Sequence, residues 1–173
     1  MLLFVCSGNT CRSAMAEAIG NWEISRRFNI SFERPGDSPV QVPIQVPIRI
    51  PIQIPIHVLS AGITANLGSP MKVEAVKALE NLRIPVSSHS ARPITPELIH
   101  QAEVIYCMDQ SHHAAIIDMF PSAIEKTQCL DPDGDIEEPK GGGAEVYVRC
   151  ATRIQDLVRR RFDEIGVKVD LFA

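Results

Sequence analysis

The sequence predicts an α/β fold of three layers, a four-stranded parallel sheet with helices on both faces. Three observations carry this. Short apolar runs at 2–5, 57–60, 104–108 and 126–130 are separated by segments with the spacing of amphipathic helices. Strands alternating with helices imply parallel pairing through right-handed crossovers. The run Val104-Ile105-Tyr106-Cys107-Met108 is almost continuously apolar, as a strand covered on both faces must be. Finally, a loop of small residues joins the first strand to the first helix. Parallel sheets gather ligands beyond the carboxyl ends of their strands, where strand order reverses, and this loop meets that rule if the order is 2-1-3-4.

The first helix is expected from Ser13 to about Arg27, with Met15, Ile19 and Trp22 sharing a buried face. A polar turn at 33–39 precedes an unusual stretch: from Val40 to Val58 a four-residue unit, apolar-polar-apolar-Pro, recurs with Pro43, Pro47, Pro51 and Pro55 as fourth members. Its strict alternation suits an extended segment with one branched face and one edge blunted by prolines. At about 3.3 Å per residue such a run spans roughly 60 Å, too long for one strand of a small domain. The repeat at 40–57 therefore reads as an insertion in a tolerant loop, or as a segment for partner docking or self-association; only its end is needed for the second strand.

Ser69-Pro70 is expected to cap and open the second helix, with Ala75, Val76, Leu79 and Leu82 facing inward, and Thr95-Pro96-Glu97 to open a short third one. Asp109 can cap the next helix, which would bury Ile116, Ile117 and Met119. An acidic, glycine-rich loop leads to a last helix from about Ala144 to Ile165, burying Val148, Ile154, Leu157, Val158 and Phe162.

At 173 residues the chain suits one domain, 1–173. A net charge of -4 offers no general footprint for nucleic acid. No signal peptide or membrane span is indicated, and five cysteines without framework spacing fit a reducing compartment, so the expected location is cytoplasmic. Cys107, Cys129 and Cys150 read as small core residues. No metal or other cofactor is expected, because no set of His, Cys and carboxylates has metal-site spacing.

The chemistry concentrates in Val5-Cys6-Ser7-Gly8-Asn9-Thr10-Cys11-Arg12-Ser13. A helix N-terminus and a tight Gly-Asn loop aim N–H groups at one point, and the planar fork of Arg12 suits two phosphate oxygens. A thiol in such a ring should ionise easily, which makes Cys6 a candidate nucleophile; the plainer alternative is a buried thiol beside a surface cation. Ser13 can donate to the sulfur, and Asn9 either fixes the loop backbone or is an ordinary turn residue.

This Cys-x5-Arg-Ser frame, with its Gly-Asn and second Cys, resembles the signature loop of the low-molecular-weight cysteine phosphatases, a family of tyrosine and arginine phosphatases. Ala14 departs from it where Pro is usual. The resemblance covers nearly all of the chain except about 30–57 and implies the order 2-1-3-4. It implies hydrolysis of phosphorylated protein side chains, phosphotyrosine or phosphoarginine, through a phosphocysteine. It makes Ser7, Gly8, Asn9, Thr10, Cys11 and Ser13 the phosphate-binding loop and places His89 behind it on Asn9, with His89 and Ser60 as supporting residues. It also implies that Cys11 protects an oxidised Cys6 as a reversible disulfide.

The family's catalytic acid is an Asp before Pro, and two pairs compete here. Glu138-Pro139 has the right context, Gly141-Gly142-Gly143 and then Val146-Tyr147, whereas Asp131-Pro132 has the right residue but comes early. Glu138 is favoured; a solvated acidic turn is the alternative. Competing functions are an arsenate reductase of the same fold, which needs resolving cysteines placed as a close pair on a mobile segment, an arrangement Cys107 and Cys129 are not expected to have, and a phosphate-binding module with impaired catalysis. For substrate choice, Thr10 is the family's residue in arginine phosphatases, and Lys140 stands where tyrosine phosphatases offer an aromatic ring.

Overall fold

A computed structural model describes residues 1–28 and 56–167. The elements run β1 (Leu2–Cys6), α1 (Arg12–Arg27), β2 (Val58–Gly62), α2 (Val73–Asn81), α3 (Pro96–Gln101), β3 (Val104–Cys107), α4 (Gln110–Met119), a 3-10 turn (Pro121–Lys126), β4 (Thr127–Cys129) and α5 (Ala144–Glu164). The expected sheet is present, with order β2-β1-β3-β4 and every pairing parallel. β1 is central, with Leu2 opposite Val58 on one side and Val104 on the other.

Because successive side chains alternate across a strand, β1 feeds two cores. Leu2, Phe4 and Cys6 pack with α1, α2 and α5, where Met15, Ile19, Leu79, Ile154 and Phe162 are buried. Leu3 and Val5 pack on the opposite face with Ala61, Ile99, Ile105 and Ile116. Each fully buried large apolar side chain contributes about 1.5–3 kcal/mol. Trp22 and Val148 are half-buried against the first cluster, and Cys107, Cys129 and Cys150 are buried as expected. At the far end of β4, Arg161 donates to the carbonyls of Cys129 and Leu130 at 2.8 and 2.9 Å and lies over the Tyr106 ring, so its buried charge is satisfied.

Two helices depart from expectation. α2 starts at Val73, with Lys72 rather than Ser69 at its N-cap. The carbonyl of Ser69 accepts from Ala91 N–H at 2.8 Å and Lys72 N–H donates to Thr10 O at 2.9 Å, so this approach is drawn out along the first loop before it can coil. In α4 the buried positions are His112 and Ile116, while Ile117 is half-buried and Met119 is 42% exposed. His112 and Ile116 are four residues apart and face the sheet together, whereas Met119 ends the helix.

Most of the proline repeat, 40–55, lies outside the described residues. The carbonyl of His57 accepts from Leu2 N–H at 2.8 Å, and β2 begins at the next residue. Among the described residues no helix is long and apolar enough to cross a membrane.

Candidate active site

β1 ends at Cys6 and α1 begins at Arg12, leaving five residues to make the turn. Asn9 adopts φ 54°, a left-handed conformation that Asn tolerates better than most residues. Its side chain is used completely. Nδ2 donates to Ser13 Oγ at 3.0 Å and to Ser60 Oγ at 2.7 Å, and Oδ1 accepts from Arg92 N–H at 2.9 Å. His89 Nε2 donates to the Asn9 carbonyl at 2.7 Å, and Ser60 donates in turn to Glu17. Gly62, at the end of β2, lets the loop settle on the sheet: a Cβ there would stand 2.5 Å from Ser7 O and 2.9 Å from Asn9 N.

Donors converge on the Cys6 sulfur. Ser13 Oγ is 2.9 Å away and Asn9 N–H donates to it at 3.3 Å. Since Ser13 Oγ accepts from Asn9, its own proton can go to the sulfur, the nearer of its two acceptors, the other being Ala61 O at 3.5 Å. Cys11 is buried within the same loop, its sulfur 3.9 Å from Tyr147 Oη, and burial pushes its thiol pKa up despite that hydroxyl.

Arg12 is 4% exposed and reaches across the sheet to the loops after β3 and β4. Nη1 donates to Asp109 Oδ2 at 2.8 Å and to Ile136 O at 2.9 Å, and Nη2 donates to Glu138 Oε2 at 2.9 Å. Burial alone would weaken its charge, but the hydrogen bond to Asp109 and the field of Glu138 raise its pKa above the ordinary value. Glu138 is delivered by a loop tied back to the sheet, with Ile136 N–H on Met108 O at 2.9 Å and a turn closed from Gly142 N–H to Pro139 O. Gly141, at φ 87°, provides the backbone that turn requires. Asp131 is held elsewhere, buried under Arg153, which binds it through both Nε and Nη2.

The site opens into a cleft of about 640 Å³ lined by Cys6, Ser7, Gly8, Thr10, Cys11, Glu138 and Lys140, with the approach to α2 as its far wall. Glu138 thus shares the cleft with Cys6 and Asp131 does not, while Ser13, Ser60 and His89 hold the loop through their hydrogen bonds to Asn9.

Two residues of the site carried no functional expectation. Asp109, expected only to cap α4, accepts from His112 N–H at 2.9 Å through Oδ1 and also anchors Arg12 through Oδ2. Burial opposes its charge, but the Ser111 hydroxyl, the His112 N–H and Arg12 hold its carboxyl below the ordinary range. His112, 3% exposed, meets Ser7 Oγ with Nε2 at 2.8 Å. The available signal was position: both lie just past the carboxyl end of β3, the neighbour of β1.

Residues 1–30 and 49–170 match the family described as low molecular weight phosphotyrosine protein phosphatase. A protein-arginine-phosphatase of Geobacillus stearothermophilus is 30% identical over 169 residues, 95% of each chain. A low molecular weight protein-tyrosine-phosphatase of Staphylococcus epidermidis is 26% identical over 91% of this chain and 93% of that one. The crystal structure of a low molecular weight protein tyrosine phosphatase from T. tengcongensis superposes with TM-score 0.74 at 28% identity, covering 94% of this chain and 97% of the other. With most of its length matched and its Cys-x5-Arg loop folded at the end of β1, the chain belongs to the low molecular weight phosphotyrosine protein phosphatase family.

Proposed function

We propose that the protein hydrolyses phosphorylated protein side chains through a phosphocysteine intermediate on Cys6, with Glu138 as the proton donor and acceptor. The Cys6 thiolate attacks phosphorus in line with the leaving group; the new S–P bond forms as the bond to the leaving atom breaks, and Glu138 gives that atom its proton. Loop N–H groups and Arg12 hold the three equatorial oxygens, where charge must be stabilised during transfer. Water then attacks the phosphocysteine, Glu138 takes its proton, and phosphate leaves as the thiolate is regenerated.

The observation that carries this reading is the convergence on one cleft of the Cys6 sulfur, within 2.9 Å of Ser13 Oγ, and of Glu138, within 2.9 Å of the Arg12 guanidinium. For Arg12 to grip phosphate, Glu138 must exchange its partner and turn toward the leaving group. A reductase would need resolving thiols on a segment free to move, but Cys107 and Cys129 are paired opposite each other in β3 and β4. Burial pushes both of their pKa values up, which makes them poor nucleophiles.

The favoured substrate is phosphoarginine. Thr10 carries this preference, lining the cleft with a small hydroxyl-bearing side chain that leaves room for a phosphoguanidino group; Lys140 offers no ring on which a phosphotyrosine could stack but would also repel a guanidinium, so it weakens the tyrosine reading without strengthening the arginine one. Two of the similar proteins are themselves protein-arginine-phosphatases. Free cysteines throughout accord with a cytoplasmic location. The repeat at 40–57 is proposed as an insertion in a single domain.

The test is turnover of para-nitrophenyl phosphate, whose phenolate leaves with little acid help, and then kcat/KM on matched phosphoarginine and phosphotyrosine peptides. Aryl phosphate hydrolysis and a higher kcat/KM for phosphoarginine are expected. Phosphate binding without turnover would leave a binding module instead.

A further inference from the structure

One hydrogen-bonded chain at the mouth of the loop, from Ser7 through His112 to Asp109, has been given no role toward the substrate. Ser7 is exposed and lines the cleft, yet its Oγ lies 2.8 Å from Nε2 of the buried His112, 105 residues away. The other ring nitrogen, Nδ1, is 2.8 Å from Asp109 Oδ1, off the line of a ring N–H hydrogen bond. A bare Nδ1 at that distance would set its lone pair against a carboxylate oxygen, so the proton belongs on Nδ1. Burial pushes the His112 pKa down against the pull of Asp109, which keeps the ring neutral. A neutral ring protonated at Nδ1 has an acceptor at Nε2. The Ser7 hydroxyl must then donate inward, to His112, and its oxygen lone pairs are left facing the cleft.

An acceptor is out of character at this place. Backbone N–H groups at a helix N-terminus suit phosphoryl oxygens, which a hydroxyl turned to accept does not. A phosphoguanidino group differs from a phosphorylated phenol in carrying N–H groups beside the phosphorus, on the bridging nitrogen and its neighbours, whereas the phenol ester oxygen carries none. We propose that Ser7, oriented by His112 and Asp109, is a specificity-determining hydrogen-bond acceptor that favours phosphoarginine over phosphotyrosine by accepting an N–H of the phosphoguanidino group. This rests on the phosphatase activity proposed for the same site. Ser7 makes the contact with substrate, and His112 is a positioning residue that turns the hydroxyl.

The readout is the ratio of kcat/KM for a phosphoarginine peptide to that for a phosphotyrosine peptide of the same sequence, in wild type, Ser7→Ala, Ser7→Thr and His112→Asn. Ser7→Ala should lower the ratio about tenfold, the size of one lost hydrogen bond to a cationic donor. Ser7→Thr keeps the hydroxyl and should hold the ratio within about threefold; His112→Asn should move it in the same direction as Ser7→Ala. Equal losses on the two peptides, or a ratio unmoved by Ser7→Ala, would overturn the proposal. Ser7 is exposed, so its variants decide the matter even if His112→Asn unfolds the chain. Failure of the phosphatase activity shows in the wild type, as absent turnover of both peptides, whereas failure of this proposal alone shows only in the variants.

Discussion

Arg12 and Glu138 form an ion pair at 2.9 Å across the mouth of the cleft, with the arginine buried and the glutamate side chain 43% exposed. The proposed phosphate-binding cation and the proposed acid therefore occupy each other in this structure. Glu138→Gln should lower kcat on phosphoarginine or phosphotyrosine peptides by about a hundredfold or more, the usual size of a general-acid contribution, and should lower it less on para-nitrophenyl phosphate. A variant equally slow on good and poor leaving groups would show that Glu138 holds Arg12 and moves no proton.

Asp131 should behave in the opposite way. Burial raises its pKa, but the hydrogen bonds from Arg153 and Asp133 N–H outweigh it and keep the carboxyl below the ordinary range. A folded pKa below the unfolded value, about 3.9, gives stability that is present above that pH and lost as pH falls through the folded value. Asp131→Asn should thus leave turnover nearly intact, cost on the order of 1–3 kcal/mol at neutral pH, and differ less from wild type at about pH 2.5. Urea melts of both proteins at the two pH values decide this; a stability gap independent of pH would contradict it.

The repeat can be removed in a single deletion. The family match spans residues 1–30 and 49–170, so it includes the end of the repeat. Replacing residues 40–55 by a short turn should leave Tm and aryl phosphate turnover close to wild type, because each doubling of loop length costs only about 0.6 kcal/mol. A large fall in Tm would mean that the segment pairs with the domain's own sheet.

Thr10→Ile adds bulk where the guanidinium must sit and should shift preference toward phosphotyrosine, lowering the phosphoarginine to phosphotyrosine kcat/KM ratio. A wild type that already prefers phosphotyrosine would refute the role given to Thr10.

The loop was legible because it is local: an apolar run, a Gly-Asn turn and a helix start lie within twenty residues; the sheet order is not local and came with the family resemblance. Glu138 was legible only through the glycines and Val146-Tyr147 after it, which mark where the loop returns. Asp109 and His112 were not, since a helix cap and a helical histidine look alike whether they face solvent or a loop 100 residues earlier; only the β1–β3 pairing brings them to Arg12 and Ser7. The start of α2 escapes the sequence for a similar reason. Ser69-Pro70 is a good local opening, but the backbone there is bound to Ala91, and Lys72 to Thr10, contacts that no local pattern encodes.

The central claim, a phosphocysteine on Cys6, is tested most directly by Cys6→Ser assayed with para-nitrophenyl phosphate beside a vanadate-binding titration. The variant should retain vanadate binding, because the cradle is mostly backbone N–H with Arg12, and should lose all but a few per cent of turnover. Turnover near the wild-type level with binding intact would contradict the claim.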